Sequence, residues 1–328
     1  MATNAPHRID THHHIVPPNY FAAEREKILG AAIGRDQGVI DWTPARALEA
    51  MDSGGVATAV TSISAPGAWF GKVRHSRRIT RDCNEYAAGM ARDYKGRFGV
   101  FATLALPDIE GSLREIEYAF DVLKVDGIGL VTNYDAIWPG DARFAPIWDE
   151  LNRRKAVVYF HPTCAACCQN LIPQVTMAVV EFAFDTTRAI VSLLFSGTFA
   201  RCPDIKFIFS HGGGTLPMLF GRIAATARNR ADLASVAPNG VMHEIKKLYL
   251  DTVSVFDPVS FNALTQMTPL SQLLFGTDYP YWTTDVNVSA LAAQNLTPAE
   301  LQAIERDNAL ALLPQLSRGQ SKINLDPI

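Results

Sequence analysis

The chain has 328 residues, 48% of them apolar, and its 30 Lys and Arg against 33 Asp and Glu leave a formal net charge of −3. A near-neutral chain has no chain-wide field for nucleic acid or anionic lipid, and no run reaches the ~18 apolar residues of a membrane span. The first eight residues lack an apolar signal core, and five cysteines, an odd number, do not suit a secreted disulfide scaffold; a cytoplasmic location is the expectation.

Eight β-rich runs recur along the chain. The first covers 8–11 and leads into His12-His13-His14. The second covers 57–63. The basic cluster Arg74-His75-Ser76-Arg77-Arg78 then opens a helical pattern and reads as a solvated first turn. That pattern carries Ile79, Cys83, Met90 and Tyr94 and stops near Gly96. The third run is 99–106. After it, Ser112 and Glu115 have capping-box spacing ahead of Ile116, Phe120 and Leu123. The fourth and fifth runs are 127–132 and 156–161. Residues 164–203 form a long insertion with one strong helix pattern, expected as a lid or an oligomer contact. The sixth, seventh and eighth runs are 206–211, 248–253 and 273–278. Thr297, Pro298 and Glu300 start a last helix, and the tail from about 315 is polar.

Near-continuous apolar strands alternating with helices imply a parallel sheet covered on both faces. Eight of them fit a closed α/β barrel, a (β/α)₈ TIM barrel, as a single domain over 1–328. No GxGxxG or phosphate-binding glycine loop follows any strand, which removes support for a nucleotide site.

Active sites of such barrels lie at the C-terminal strand ends. Here those ends hold His12 and His14, His161, His211 and Asp278. The period of two puts His12 and His14 on one face, with His13 on the other. Neutral imidazoles plus a carboxylate suit Zn²⁺, Mn²⁺ or Fe²⁺. One histidine alone is more often a satisfied core residue. Five metal-competent groups, all at strand ends, are harder to explain that way. The fourth strand end, Gly-Ile-Gly-Leu-Val-Thr-Asn-Tyr, offers no Lys or Glu to bridge two ions, so a single metal is expected. His211, which opens His-Gly-Gly-Gly, is either a further ligand or an acid or base beside the metal.

Other residues carry weaker signals. Arg222, eleven residues after His211, can pair with a carboxylate or sit in a surface ion pair. Tyr281 and Trp282 can wall an aromatic pocket, and Trp69 can help exclude water. Asp251 can bond a ligand or hold the barrel. Cys164 and Cys167 form a lone CxxC, read as loop packing. His7, His75 and His243 sit in polar contexts and read as solvated.

The segments Ile9-Asp10-Thr11-His12-His13-His14, Val158-Tyr159-Phe160-His161-Pro162-Thr163, Ser210-His211-Gly212-Gly213-Gly214-Thr215-Leu216-Pro217 and Phe275-Gly276-Thr277-Asp278-Tyr279-Pro280 resemble the metal-dependent decarboxylase branch of the amidohydrolase superfamily. The likeness runs from about 8 to 314. Within that branch the chain resembles the 6-methylsalicylate decarboxylases. Cys83-Asn84-Glu85, Phe144-Ala145-Pro146-Ile147-Trp148 and Thr187-Arg188-Ala189 add to it. The resemblance implies His12, His14, His161 and Asp278 as metal ligands and His211 as catalytic. It implies that Arg222 reaches the substrate of a neighbouring subunit in a homodimer or homotetramer. The branch's γ-resorcylate members have Glu where this chain has His12. Its semialdehyde decarboxylases carry an arginine after a Trp-x-Pro segment; here Trp42-Thr43-Pro44 is followed by Ala47 at that place, which favours a monocarboxylate.

The implied reaction is non-oxidative decarboxylation of an ortho-hydroxylated aromatic acid, with Asp278 or His211 as proton donor. Its rivals are a mononuclear hydrolase of a lactone or amide, a hydratase of an unsaturated acid, and a non-catalytic barrel whose metal is only structural.

Overall fold

Eight strands lie in chain order in one sheet: β1 (Arg8–His14), β2 (Val56–Ser62), β3 (Phe98–Thr103), β4 (Gly127–Val131), β5 (Val157–His161), β6 (Lys206–Phe209), β7 (Tyr249–Asp251) and β8 (Leu273–Leu274). Every pairing between neighbours is parallel. The computed structural model describes residues 7–32, 34–230 and 234–317. The start of the amino-terminal segment (1–6) and the polar tail from residue 318 lie outside them.

The barrel closes beyond β8. Thr11 N donates to Phe275 O, Thr277 N and Asp278 N donate to His12 O, and His14 N donates to Tyr279 O. All eight expected strands are present, and the architecture is that of a (β/α)₈ barrel. The last three strands are shorter than their apolar runs, because their final residues leave the ladder to form the turns at the barrel mouth.

Two apolar layers follow from strand alternation. On β5, Val157 and Tyr159 belong to the inner cluster with Ile9, Val60, Phe101, Ile208 and Leu274. Val158 and Phe160 belong to the outer layer under the helices. Ala309, Leu313 and Leu316 plug the inner cluster at the bottom. The upper end is left for polar side chains.

The helices that cover the sheet correct three expectations. The helix Ile109–Tyr118 is capped by Asp108, whose carboxylate accepts from Gly111 N. Ser112 lies inside the helix, and Glu115 instead binds Arg81 and the Asn84 amide; no capping box forms there. The box at Thr297 and Glu300 does form. The basic cluster at the start of helix Val73–Asp93 is not merely solvated: Arg77 pairs with Asp108, and His75 with Glu24. His7 is likewise bound, to Glu305 at 2.7 Å, while His243 is exposed as expected.

No helix of the described residues is long and apolar enough to cross a membrane. The insertion holds the helix Glu181–Phe195 and the shorter Thr198–Arg201.

Candidate active site

β1 starts with Ile9 facing the barrel interior. Strict alternation would turn His12 and His14 outward. The β1–β2 register slips between Asp10 and His13, a β-bulge that moves the inward set by one residue. His12 and His14 then face inward with His161, the upper end of the β5 row Val157, Tyr159, His161. Asp278 completes the group. Gly276, two residues before it, leaves room for His12, since a Cβ there would lie 2.7 Å from His12 Cβ.

His12, His14, His161 and Asp278 each offer one ligand atom within 4.8 Å of the others, and all four are buried. His12 Nε2 lies 3.0 Å from His14 Nε2, and Asp278 Oδ1 lies 3.1 Å from both. His161 Nε2 is 3.9 Å from the same oxygen. Ligand atoms about 2.0–2.2 Å from a common ion stand roughly 3.0–3.6 Å apart; the His12, His14 and Asp278 spacings suit one ion, and His161 stands slightly farther out. Each Nδ1 is engaged elsewhere: in His12 with Asp251 at 2.8 Å, in His161 with Pro162 O at 2.9 Å, in His14 with Ser62. Engaging Nδ1 elsewhere aims the three Nε2 atoms at the centre. Asp278 Oδ1 is buried with no hydrogen-bond partner. A buried carboxylate oxygen facing three imidazole Nε2 atoms fits a divalent cation.

Burial pushes the His14 imidazole down to about 4 and that of His161 well below its ordinary value. Both are neutral at pH 7, the form that binds metal. Burial also opposes a charge on His12, but Asp251 and Asp278 outweigh it and push His12 up to about 10. Burial works against the charged carboxylate of Asp278 too, yet His12 and the other imidazoles hold it well below the usual range.

His211 follows β6, where alternation would send it toward the helices. Instead it takes φ 55°, and Asp278 takes φ 56°. Left-handed conformations are costly for residues with a Cβ and concentrate at sites the surroundings over-determine. Here the His211 N–H donates to Asp251 Oδ1 at 2.8 Å, and His211 Nε2 comes 3.4 Å from Asp278 Oδ2. Asp251 is therefore a holding residue: one oxygen orients His12, the other fixes the His211 turn.

A cavity of about 530 Å³ opens above this group, with His161, His211 and Asp278 in its walls. Tyr281 and Trp282 line it; Trp69 and Arg222 do not. Trp69 donates its indole N–H to Asp135. Arg222 is exposed on the helix Leu216–Arg228. Ala47 is fully buried on the helix Pro44–Ser53 and is not among the residues that line the cavity. The cavity does carry a cation, Arg35, whose guanidinium sits 3.8 Å from the Trp282 ring centroid and donates to Tyr281 O. Sequence reasoning missed Arg35, Phe182 and Phe256. Arg35 lies in a polar stretch with no strand end or motif to mark it. The Cys164–Cys168 cluster joins no metal group among the described residues.

Comparison with known proteins agrees with this geometry. The amidohydrolase family model matches residues 9–315. The decarboxylase yanB of Aspergillus niger is 36% identical over 94% of this chain and 88% of its own length. The 6-methylsalicylic acid decarboxylase of Penicillium expansum is 32% identical over 94% and 97%. The 5-carboxyvanillate decarboxylase of Novosphingobium aromaticivorans, solved with manganese and 4-hydroxy-3-methoxy-5-nitrobenzoic acid, shares the fold with a TM-score of 0.83 at 19% identity, over 94% and 96% of the two chains. A barrel closed in strand order, a family match over nearly its whole length and relatives above 30% identity establish that this chain belongs to the amidohydrolase family.

Proposed function

We propose that the chain is a metal-dependent carboxy-lyase that removes CO₂ from an ortho-hydroxylated aromatic acid of the 6-methylsalicylate kind. The observation that carries the reading is His211 Nε2 at 3.4 Å from Asp278 Oδ2, in the wall of a cavity sized for a small aromatic acid. The named activities of relatives at 32–36% identity support the same reaction.

His12, His14, His161 and Asp278 would hold the ion, Mn²⁺ or Zn²⁺; the manganese in the 5-carboxyvanillate enzyme favours the first. When bound, the ion supplies a Lewis-acid anchor for the carboxylate and its neighbouring phenolate oxygen. The chain's own residues do the rest. Phe182 and Trp282 confine the ring between apolar surfaces. Arg35 offers the anionic substrate a cation at the cavity mouth. Tyr281 Oη, 2.5 Å from Ser64 Oγ, gives a fixed hydroxyl for a ring substituent. His211 or Asp278 delivers a proton to the ring carbon that bears the carboxylate. The carbon–carbon bond then breaks, its electron pair restores the aromatic ring, and CO₂ leaves.

We further propose a homodimer or homotetramer, located in the cytoplasm. Met218 and Arg222 support assembly: they lie four residues apart on one helix, and both are exposed, Met218 at 77%. In such an assembly Arg222 would reach a neighbour's substrate.

The test is incubation in D₂O with Mn²⁺ or Zn²⁺ and a panel of hydroxybenzoates, followed by proton NMR. Loss of the carboxylate with one deuterium at the vacated carbon is expected. A metal-loaded enzyme that leaves every acid in the panel intact would overturn the reading in favour of a hydrolase or hydratase.

A further inference from the structure

We infer that the acids this site serves best carry an apolar side chain longer than methyl on the ring edge remote from the hydroxyl. This rests on the decarboxylase reading and goes beyond it.

The first observation is size. Even at a water's full share of liquid volume, about 30 Å³ for each of roughly eleven heavy atoms, 6-methylsalicylate would fill about 330 Å³. The cavity holds about 530 Å³.

The second is where polarity runs out. The histidines and Asp278 gather at the buried end. Tyr281 and Ser64 bond to each other. The rest of the wall is mostly apolar, with Ala31, Ala65, Ala178, Val179, Phe182, Ala183, Phe256 and Trp282 against the hydroxyls of Thr176 and Ser254 and the Arg35 guanidinium. Phe256 packs edge-on against Trp282 with centroids 5.2 Å apart. Val179, 67% exposed, stands at the mouth. Among the described residues Arg35 is the charged side chain of this outer region of the lining, and its guanidinium lies against Trp282. An acid whose carboxylate and phenolate engage the buried end leaves the rest of its ring, from C4 to C6, toward this wall, and C6 is the position beside the carboxylate on the side away from the hydroxyl. Against the Phe182, Phe256 and Trp282 surfaces a row of hydroxyls would lose water without gaining partners. Methylenes would gain, by roughly three- to fourfold in affinity for each one fully buried.

The test measures kcat/KM for salicylate and its 6-methyl, 6-propyl and 6-pentyl derivatives, together with calorimetric binding of the corresponding 3-alkylphenols, the products. From methyl to propyl, kcat/KM should rise about tenfold, chiefly through KM, and phenol affinity should rise in parallel. Val179→Asp should shrink the pentyl-over-methyl ratio at least fivefold. Turnover of 6-methylsalicylate with flat or falling values for propyl and pentyl would overturn the inference and leave the decarboxylase reading intact. Phenol affinities that climb with chain length, with no acid decarboxylated, would uphold the inference about the cavity and defeat the reading of the reaction.

Discussion

The Asp251 carboxylate accepts from His12 Nδ1 at 2.8 Å, and both side chains are fully buried. The bond does two things. It fixes the tautomer that presents the His12 Nε2 lone pair, and it raises the imidazole's basicity as a ligand. The other Asp251 oxygen holds the backbone of His211. Asp251→Ala should therefore weaken metal binding about 10- to 100-fold and lower kcat even when metal is saturating. Competition against a calibrated chelator measures the first effect. Wild-type affinity in a folded variant would remove Asp251 from the holding role.

His211 and Asp278 are separable by metal content. Asp278 is both a ligand candidate and a proton-donor candidate; His211 Nε2 approaches Asp278 Oδ2, and its ring packs edge-on against His12 and His161 without offering the centre a ligand atom. His211→Ala should keep its metal and lose about 10²–10⁴ in kcat, the usual worth of positioned acid–base catalysis. Asp278→Asn should lose much of its metal and its turnover together. Elemental analysis beside single-turnover rates distinguishes the two. A His211→Ala enzyme with near-normal kcat would leave proton delivery to Asp278 alone.

Much of this site is legible in the chain, but unevenly. β5 shows its whole logic in five letters: alternate residues fill the inner and outer layers, and His161 falls inward at the top. The same rule applied to β1 points His12 and His14 the wrong way, because a bulge between Asp10 and His13 resets the alternation and no residue type announces it. The turn at His211 is announced by three glycines, yet its direction depends on a left-handed backbone at His211 itself and on Asp251, forty residues later in the chain. The failed capping box at Ser112 has a similar cause: local spacing favoured it, but tertiary contacts recruited Glu115 to Arg81 and Asn84. Arg35 was invisible because only the packing of residues near 35 against 281–282 brings it to the cavity.

That packing gives Arg35 a measurable role. Its guanidinium is stacked on Trp282 and anchored by one bond to Tyr281 O, which holds a positive charge at the cavity mouth while the substrate carboxylate goes to the buried end. The charge is exposed, so it acts on the anionic substrate as a screened attraction and not as a direct bond. Arg35→Leu should raise KM for a hydroxybenzoate a few-fold with little change in kcat. High salt should raise the wild-type KM and shrink that difference. A fall in kcat with unchanged KM would instead mean that Arg35 acts in the chemical step.

The titration of the metal-free site gives a further prediction, with opposite signs at its two ends. His14 and His161 have folded values below the ordinary 6.5, His14 at about 4. The unfolded chain takes up these protons first as pH falls. Their contribution to stability is full above about pH 6.5 and is lost as pH drops toward 4. His12 is pushed up to about 10, so its contribution is full below about 6.5 and is lost as pH rises through 10. Between those limits the metal-free site holds a proton on His12 that a cation must displace from Nε2. Binding of Mn²⁺ or Zn²⁺ at pH 7.5 should therefore release about one proton. Calorimetry in buffers of different ionisation enthalpy reads that number directly. Release near zero would mean that His12 is already neutral in the metal-free protein, and the same experiment on Asp251→Asn, which removes one of the two carboxylates holding the charge, should give less release than wild type.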